Sequence, residues 1–321
     1  MTQPSGMTPE QIAEASAAEI AKGRLPLQAQ WRIAQLQHER KNGIPNAFTS
    51  DLSTQEFAAI RSVGFSPVGQ VMGSAVFNVG WSYTGCGYYG AYGYGSYSPA
   101  PVVDVPAVAH LLEQARHRAV ERMRTECLGF GGDGVVGVNL TVRPFYGNGL
   151  EFMAIGTAVR ADGNVHPKHT FTSDLSGQDF AKLIRAGFVP VDLVQGVGAV
   201  IRHDDWTQAM QQRSWMNQEL TGSTNLVSAA RAAARESLAR DTAKRGGTSV
   251  VVRDMTLKVF ETRCATMTGN DEAEDHLCEA FIWGTAVVPV TKQTRSRKPE
   301  MPLPMLRLDK TGQANQRKGR R

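Results

Sequence analysis

Little in this chain points to disulfide, secretory or membrane chemistry. Cysteine is scarce: Cys86, Cys127, Cys264 and Cys278 are the four in 321 residues, and none forms a C-x-x-C pair. That excludes a disulfide scaffold and leaves reduced thiols as the expectation. The start, Met1-Thr-Gln-Pro-Ser5, lacks a basic stretch followed by an apolar core, so no secretory leader is expected. There is no apolar run of about 18 residues, so no membrane-spanning helix is expected and the cytoplasm is the expected compartment. Catalytic signatures are missing as well, with no G-x-S-x-G and no H-E-x-x-H. A non-enzymatic role is therefore the stronger expectation.

Positive charge is also missing where it would matter. The formal charge is +5, but residues 292–321 hold ten Lys/Arg and two acids, a net of +8. Subtracting them from the 35 bases and 30 acids leaves 25 and 28 on the other 291 residues, a net of −3. The basic balance belongs to the tail, which also carries three prolines and reads as disordered. Nucleic acid or an acidic partner is expected only through that tail. The segment 82–101 has six tyrosines spaced by glycines and neither Lys nor Arg. It reads as a flexible loop, and without cations it lacks the electrostatic half of a nucleic-acid platform.

What the chain does contain is a recurrence. Phe48-Thr-Ser-Asp-Leu-Ser53 returns as Phe171-Thr-Ser-Asp-Leu-Ser176, an offset of 123 residues. Gln55, Phe57, Gly64, Phe65, Pro67, Val68, Val71 and Gly73 return at the same offset, ending at Gly196. A self-match this long indicates an internal repeat. Ser53 with Glu56 has capping-box spacing, and Leu52 with Phe57 has that of a hydrophobic staple; Ser176, Asp179, Leu175 and Phe180 repeat the grammar. Each predicted short helix stops at a glycine, Gly64 or Gly187, and a Val-rich strand follows, over 65–77 and 188–201.

The remaining elements follow from periodicity. Thr8-Pro9-Glu10-Gln11 opens a helix in an N-terminal arm, with Ile12, Ala13, Ala17 and Ile20 on one face, and a second helix is predicted over 27–40. Val108, Leu112, Ala115, Ala119 and Met123 form a helical stripe over 106–128, with Asp104 placed to cap it, Gly129 to end it, and Cys127 continuing it. His110 and His117 lie off the stripe, too far apart for a simple i, i+4 metal pair. Gly131-Gly-Asp-Gly leads into a strand, and a turn at 147–149 makes a hairpin with 151–159. In the second half, helices are predicted over 204–220 and 226–244, and strands over 248–252 and 279–287. Gly-Thr-Ala-Val is identical at 156–159 and 284–287.

The helix from Ala115, the run Gly132-Asp-Gly-Val-Val-Gly-Val138 and Ile155-Gly-Thr-Ala-Val159 resemble the YbjQ family. Residues 226–288 resemble it more loosely, since Gly247-Thr-Ser-Val-Val-Val-Arg253 lacks two of the glycines. The resemblance implies an α+β fold: two tandem β-α-β-β units, similar in layout to dodecins, each a long helix packed on an antiparallel sheet and preceded by a short capped helix. It also implies assembly into homo-oligomeric rings and a heavy-metal-binding label, with no catalytic residues to transfer. The expected organisation is a helical arm over 1–47, a first unit over 48–160, a linker over 161–170, a second unit over 171–290 and a basic tail over 291–321. This chain departs from the family in having two units, the Tyr/Gly loop in place of one helix, and extra tails.

Two functional readings follow. One is a non-catalytic, ring-forming binding or scaffold protein holding an unknown small ligand or protein partner. The other is a divalent-metal site, zinc for example, in a loop bracketed by Cys264 and Cys278, with His276 beside them and Asp271, Glu272, Glu274 or Asp275 completing it. His166 and His169 in the linker form a weaker metal candidate.

Overall fold

A computed structural model describes residues 7–42, 49–78, 100–147, 149–164, 166–263 and 274–290. The Tyr/Gly segment up to Pro99, the tail from 291 and Cys264 lie outside the described residues. Two arm helices, α1 (Pro9–Ala21) and α2 (Leu27–Lys41), come first. The Thr8/Gln11 capping box is present, but α1 buries Ile12 and Ser16 and leaves Ile20 exposed, so the face differs from the one predicted. The helix docks by one narrow edge, and Ser16 Oγ accepts a hydrogen bond from the Leu27 amide at 3.3 Å.

The first half then runs α3 (Thr54–Arg61), β1 (Phe65–Asn78), β2 (Val102–Asp104), α4 (Pro106–Gly129), β3 (Gly134–Pro144) and β4 (Gly149–Ala161). The second runs β5 (Phe171–Thr172), α5 (Gly177–Arg185), β6 (Phe188–His203), α6 (Trp206–Gln212), α7 (Thr221–Lys244), β7 (Ser249–Arg263) and β8 (Glu274–Pro289). Ser53 and Ser176 each accept from the amide three residues on, at 3.3 and 3.2 Å, so both short helices start as their capping residues dictate.

Two four-stranded sheets result, in the orders β1-β4-β3-β5 and β2-β6-β8-β7. Their three long strands correspond: the antiparallel pairs β1/β4 and β6/β8 both slip register after a proline, at Pro67 and at Pro190. The short strands cross over. β5, from the second half, pairs in parallel with β3 of the first, and β2, from the first, pairs with β6 of the second.

Sheet 1, α4, sheet 2 and α7 stack in that order. Val71, Phe152, Ala154 and Ala158 pack on the α4 stripe, whose other side meets Leu193, Val197, Ala199 and Phe281 of sheet 2. The alternate residues of β6 and β8, among them Val194, Val200, Cys278 and Ile282, pack on Leu226, Ala230, Ala234 and Leu238 of α7. The helices lie almost on strand backbone. A Cβ at Gly73 would come within 2.0 Å of the Ala119 carbonyl, and one at Gly196 within 2.0 Å of that of Ala234.

Four further local expectations differ from the structure. Asp104 ends β2 opposite Val200, so Val105 becomes the N-cap of α4, with no side-chain hydrogen bond. Gly129 is the last residue of α4, and the left-handed residue beyond it is Gly131, φ 69°. The predicted helix 204–220 is one short helix, α6, capped by Asp205, and beyond it Trp215 and Met216 stand in solvent with no face to dock. Strand β7 reaches Arg263 and β8 starts at Glu274, so Glu274, Asp275, His276 and Cys278 are strand residues and not loop residues.

Candidate functional site

The end of sheet 2 gathers the histidine singled out in the sequence. Antiparallel register sets Arg202 and Glu261 opposite His276, which brings the next residue of β6's exit, Asp204, to the imidazole. His276 Nε2 lies 2.9 Å from Asp204 Oδ1, and Nδ1 lies 3.8 Å from Glu261 Oε1. Hydrogen bonding to Asp204 raises the His276 pKa above its usual value, outweighing its partial burial. Ligand atoms of Asp204, Glu274 and His276 all lie within 4.8 Å of one another. Alongside, His203 Nδ1 lies 2.7 Å from Asp275 Oδ1.

The predicted thiols behave differently. Cys278 sits two residues further along β8, fully buried in the core against α7. Burial pushes its thiol up to about 11, so it stays protonated and is a poor soft-metal ligand. Cys264, Asp271 and Glu272 lie outside the described residues. The donor set brought together at this strand end is thus one imidazole and two carboxylates, which suits zinc or another borderline divalent ion better than a thiophilic one. Asp204 was missed in the sequence because only register brings it across 72 residues to His276. His166 pairs with Asp133 at 2.8 Å, and His169 is exposed.

A second donor group is made of Glu113 and His117 of α4 and Asp241 of α7, side chains that approach one another from the two faces of sheet 2. It already holds a cation: Arg245 Nη2 is 3.1 Å from His117 Nδ1, and Arg245 Nε donates to Asp241 at 3.0 Å. Desolvation first, and then Arg245, lower the His117 pKa and keep the ring neutral. Arg245 and Arg124 both pair with Asp192 of β6, so the network ties the two halves together. Arg116 does the same through its flat face, with its guanidinium carbon 3.8 Å from the Phe281 ring centre and 5.5 Å from that of Phe152. An open cleft of about 470 Å³ lies between Val102 and the start of α7; its arginine, Arg202, is already bound to Gln208 and Asp205.

The free edge of sheet 2 is the third feature. β7 runs 15 residues, and no described element pairs with its outer side. Val251, Val252, Met255, Val259 and Phe260 on it are all exposed. None of the described helices is long and apolar enough to cross a membrane.

Comparison with known proteins fits this architecture. Residues 105–162, covering α4, β3 and β4, match the model of the YbjQ family, whose description is "Putative heavy-metal-binding". An encapsulin nanocompartment protein of Mycobacterium tuberculosis is 37% identical over 166 residues, which span 49% of this chain and 58% of that protein.

Proposed function

We propose that this chain is a non-catalytic scaffold protein, built from two tandem YbjQ-like units, that assembles into a homo-oligomeric ring in the cytoplasm. The observation that carries the reading is the open edge of β7, 15 residues long and unpaired among the described residues, with Val251, Val252, Met255, Val259 and Phe260 exposed between its charged residues. A strand edge this long leaves a row of backbone groups open to a further strand. The likeness to a nanocompartment protein supports an assembling role. Light scattering on the full chain tests it: a single mass at an integer multiple of 34.9 kDa is expected, and a monomer at tens of micromolar would end the reading.

A second reading rests on the carboxylate and imidazole group at the end of sheet 2. Asp204, Glu274 and His276 would hold a divalent ion such as zinc, with Glu261 beside the imidazole to add a donor. Titration calorimetry with zinc alone should show one site per chain, lost in His276→Ala and retained in Cys278→Ser. Equal binding by wild type and His276→Ala would exclude that site.

A further inference from the structure

The same five residues, Thr-Ser-Asp-Leu-Ser, occur in two environments. In the second half Thr172, Ser173, Asp174 and Leu175 are buried, the first two completely; in the first half Thr49 and Asp51 are exposed. Their contacts with their own sheet are alike: the Asp51 amide donates to Thr157 Oγ1, and the Asp174 amide donates to the matching Thr285. What differs is the neighbour. The second copy lies along the β3 edge of the first half, where Ser173 N donates to the Val135 carbonyl and Gly137 N and Val138 N donate to the carbonyls of Leu175 and Ser173. Phe180 completes the joint against Val136, and both are 0% exposed.

Three members of that joint have uncovered counterparts, although Leu52, the counterpart of Leu175, is half-buried within the chain. Phe57, the counterpart of Phe180, is 39% exposed, and Val251, the β7 counterpart of Val136, is 40% exposed. Ala199 on the sheet 2 face that α4 covers is 3% exposed, whereas its counterpart Val76 on the outer face of sheet 1 is 51% exposed. One chain thus carries a socket on β7 and α7 and an exposed plug at Thr49, Asp51, Phe57 and the outer face of sheet 1, while Gln55 and Glu56 of the same segment bond to Gln178 and Gly177 of α5.

We infer that two copies of this chain join head to tail, with Thr49–Phe57 of one copy lying along the β7 edge of the next as Thr172–Phe180 lies along β3. The inference rests on the oligomer proposed above and names its joint. The surfaces are different patches, so each copy offers one plug and one socket and the contact is heterologous; a closed ring follows if the rotation closes. The two edges are not identical, since Ser249 and Val252 stand where β3 has Gly134 and Gly137. An aromatic ring therefore cannot press on the strand at Ser249 as Phe171 does at Gly134, and main-chain pairing with the Val251 and Phe57 contact makes the joint.

The test uses the full chain with Val251→Lys, which spoils the socket, and Phe57→Lys, which spoils the plug. Each variant alone is expected to run as a monomer by mass photometry, with the far-UV circular dichroism of the wild type. Mixed in equal amounts they should form a dimer and stop there, because one intact plug meets one intact socket and both free ends are spoiled. If Val251→Lys fails to fold, Val76→Lys replaces Phe57→Lys on the plug face and Val259→Lys replaces Val251→Lys on the edge. A wild-type oligomer that survives both single variants overturns the joint and leaves the scaffold reading standing. Monomeric variants that give no dimer on mixing overturn the head-to-tail direction, and a monomeric wild type overturns both readings.

Discussion

The two halves of this molecule share a register, a bulge position and a helix seated on glycine, yet one is enclosed and the other is half open. Strands β6 and β8 of sheet 2 lie between α4 and α7, whereas sheet 1 has α4 on one face and Met72 and Val76 in solvent on the other. The edges differ as well: β3 is covered by β5 and β7 by nothing described. Burial here is set by what stands next to a residue, and not by the residue's own sequence context. Identical Thr-Ser-Asp-Leu segments can therefore contribute very different amounts to stability.

Substitution at paired positions should expose that difference most strongly at the phenylalanines. Phe180→Ala is expected to cost about 3–5 kcal/mol, as for a large side chain removed from a closed core. Phe57→Ala, measured in the monomeric Val251→Lys background, should stay within about 0.5 kcal/mol. Urea denaturation of both variants checks the contrast, and equal losses would mean that Phe57 is enclosed within one chain. The glycine pair should behave in the opposite way. Gly73→Ala and Gly196→Ala each push a methyl group into a helix carbonyl, so both should lose about 1–3 kcal/mol. A large inequality between them would show that only one half holds its helix this closely.

The smallest expected effect is at the aspartates. Burial raises the Asp174 pKa above the ordinary carboxylate value, against the hydrogen bond it accepts from Thr285, and its Oδ2 has no partner. The folded state therefore keeps a proton that the unfolded chain releases near the ordinary value. The stability this gives is complete below that value and is lost as pH rises through the raised one. Asp174→Asn removes the dependence, so it should stabilise the protein at pH 7 relative to wild type, by about 1 kcal/mol, and less so at pH 3. Asp51→Asn, on the exposed copy, should leave the thermal midpoint nearly unchanged at both. Differential scanning calorimetry at the two pH values would register either result.

Local signals carried much of the architecture. The capping serines, the stripe from Val108 to Met123 and the recurring glycines act within a few residues, so α3, α4, α5, β1 and β6 were legible from them. Non-local pairing was not. The sequence marked only 248–252 as strand where β7 runs to Arg263, because Asp254, Lys258 and Glu261 interrupt the apolar pattern on a strand with two wet faces. His276 could be singled out from its neighbours along the chain, while Asp204 and the 15-residue pairing of β6 with β8 that delivers it left no local trace. Cys278 looked like a ligand for the same reason: nothing nearby in sequence revealed that α7 closes over it.

The traded strands have a consequence for how this protein is made. The edge of sheet 1 waits for residues 171–172, and that of sheet 2 takes its last strand from residues 102–104, already synthesised. A nascent chain that has emerged only through β4 holds the three long strands of sheet 1 and helices α1 to α4 but leaves Val136 bare until the next segment leaves the ribosome. The halves should then melt as one cooperative unit, and a cut between 162 and 170 should yield fragments that recover their structure only when recombined.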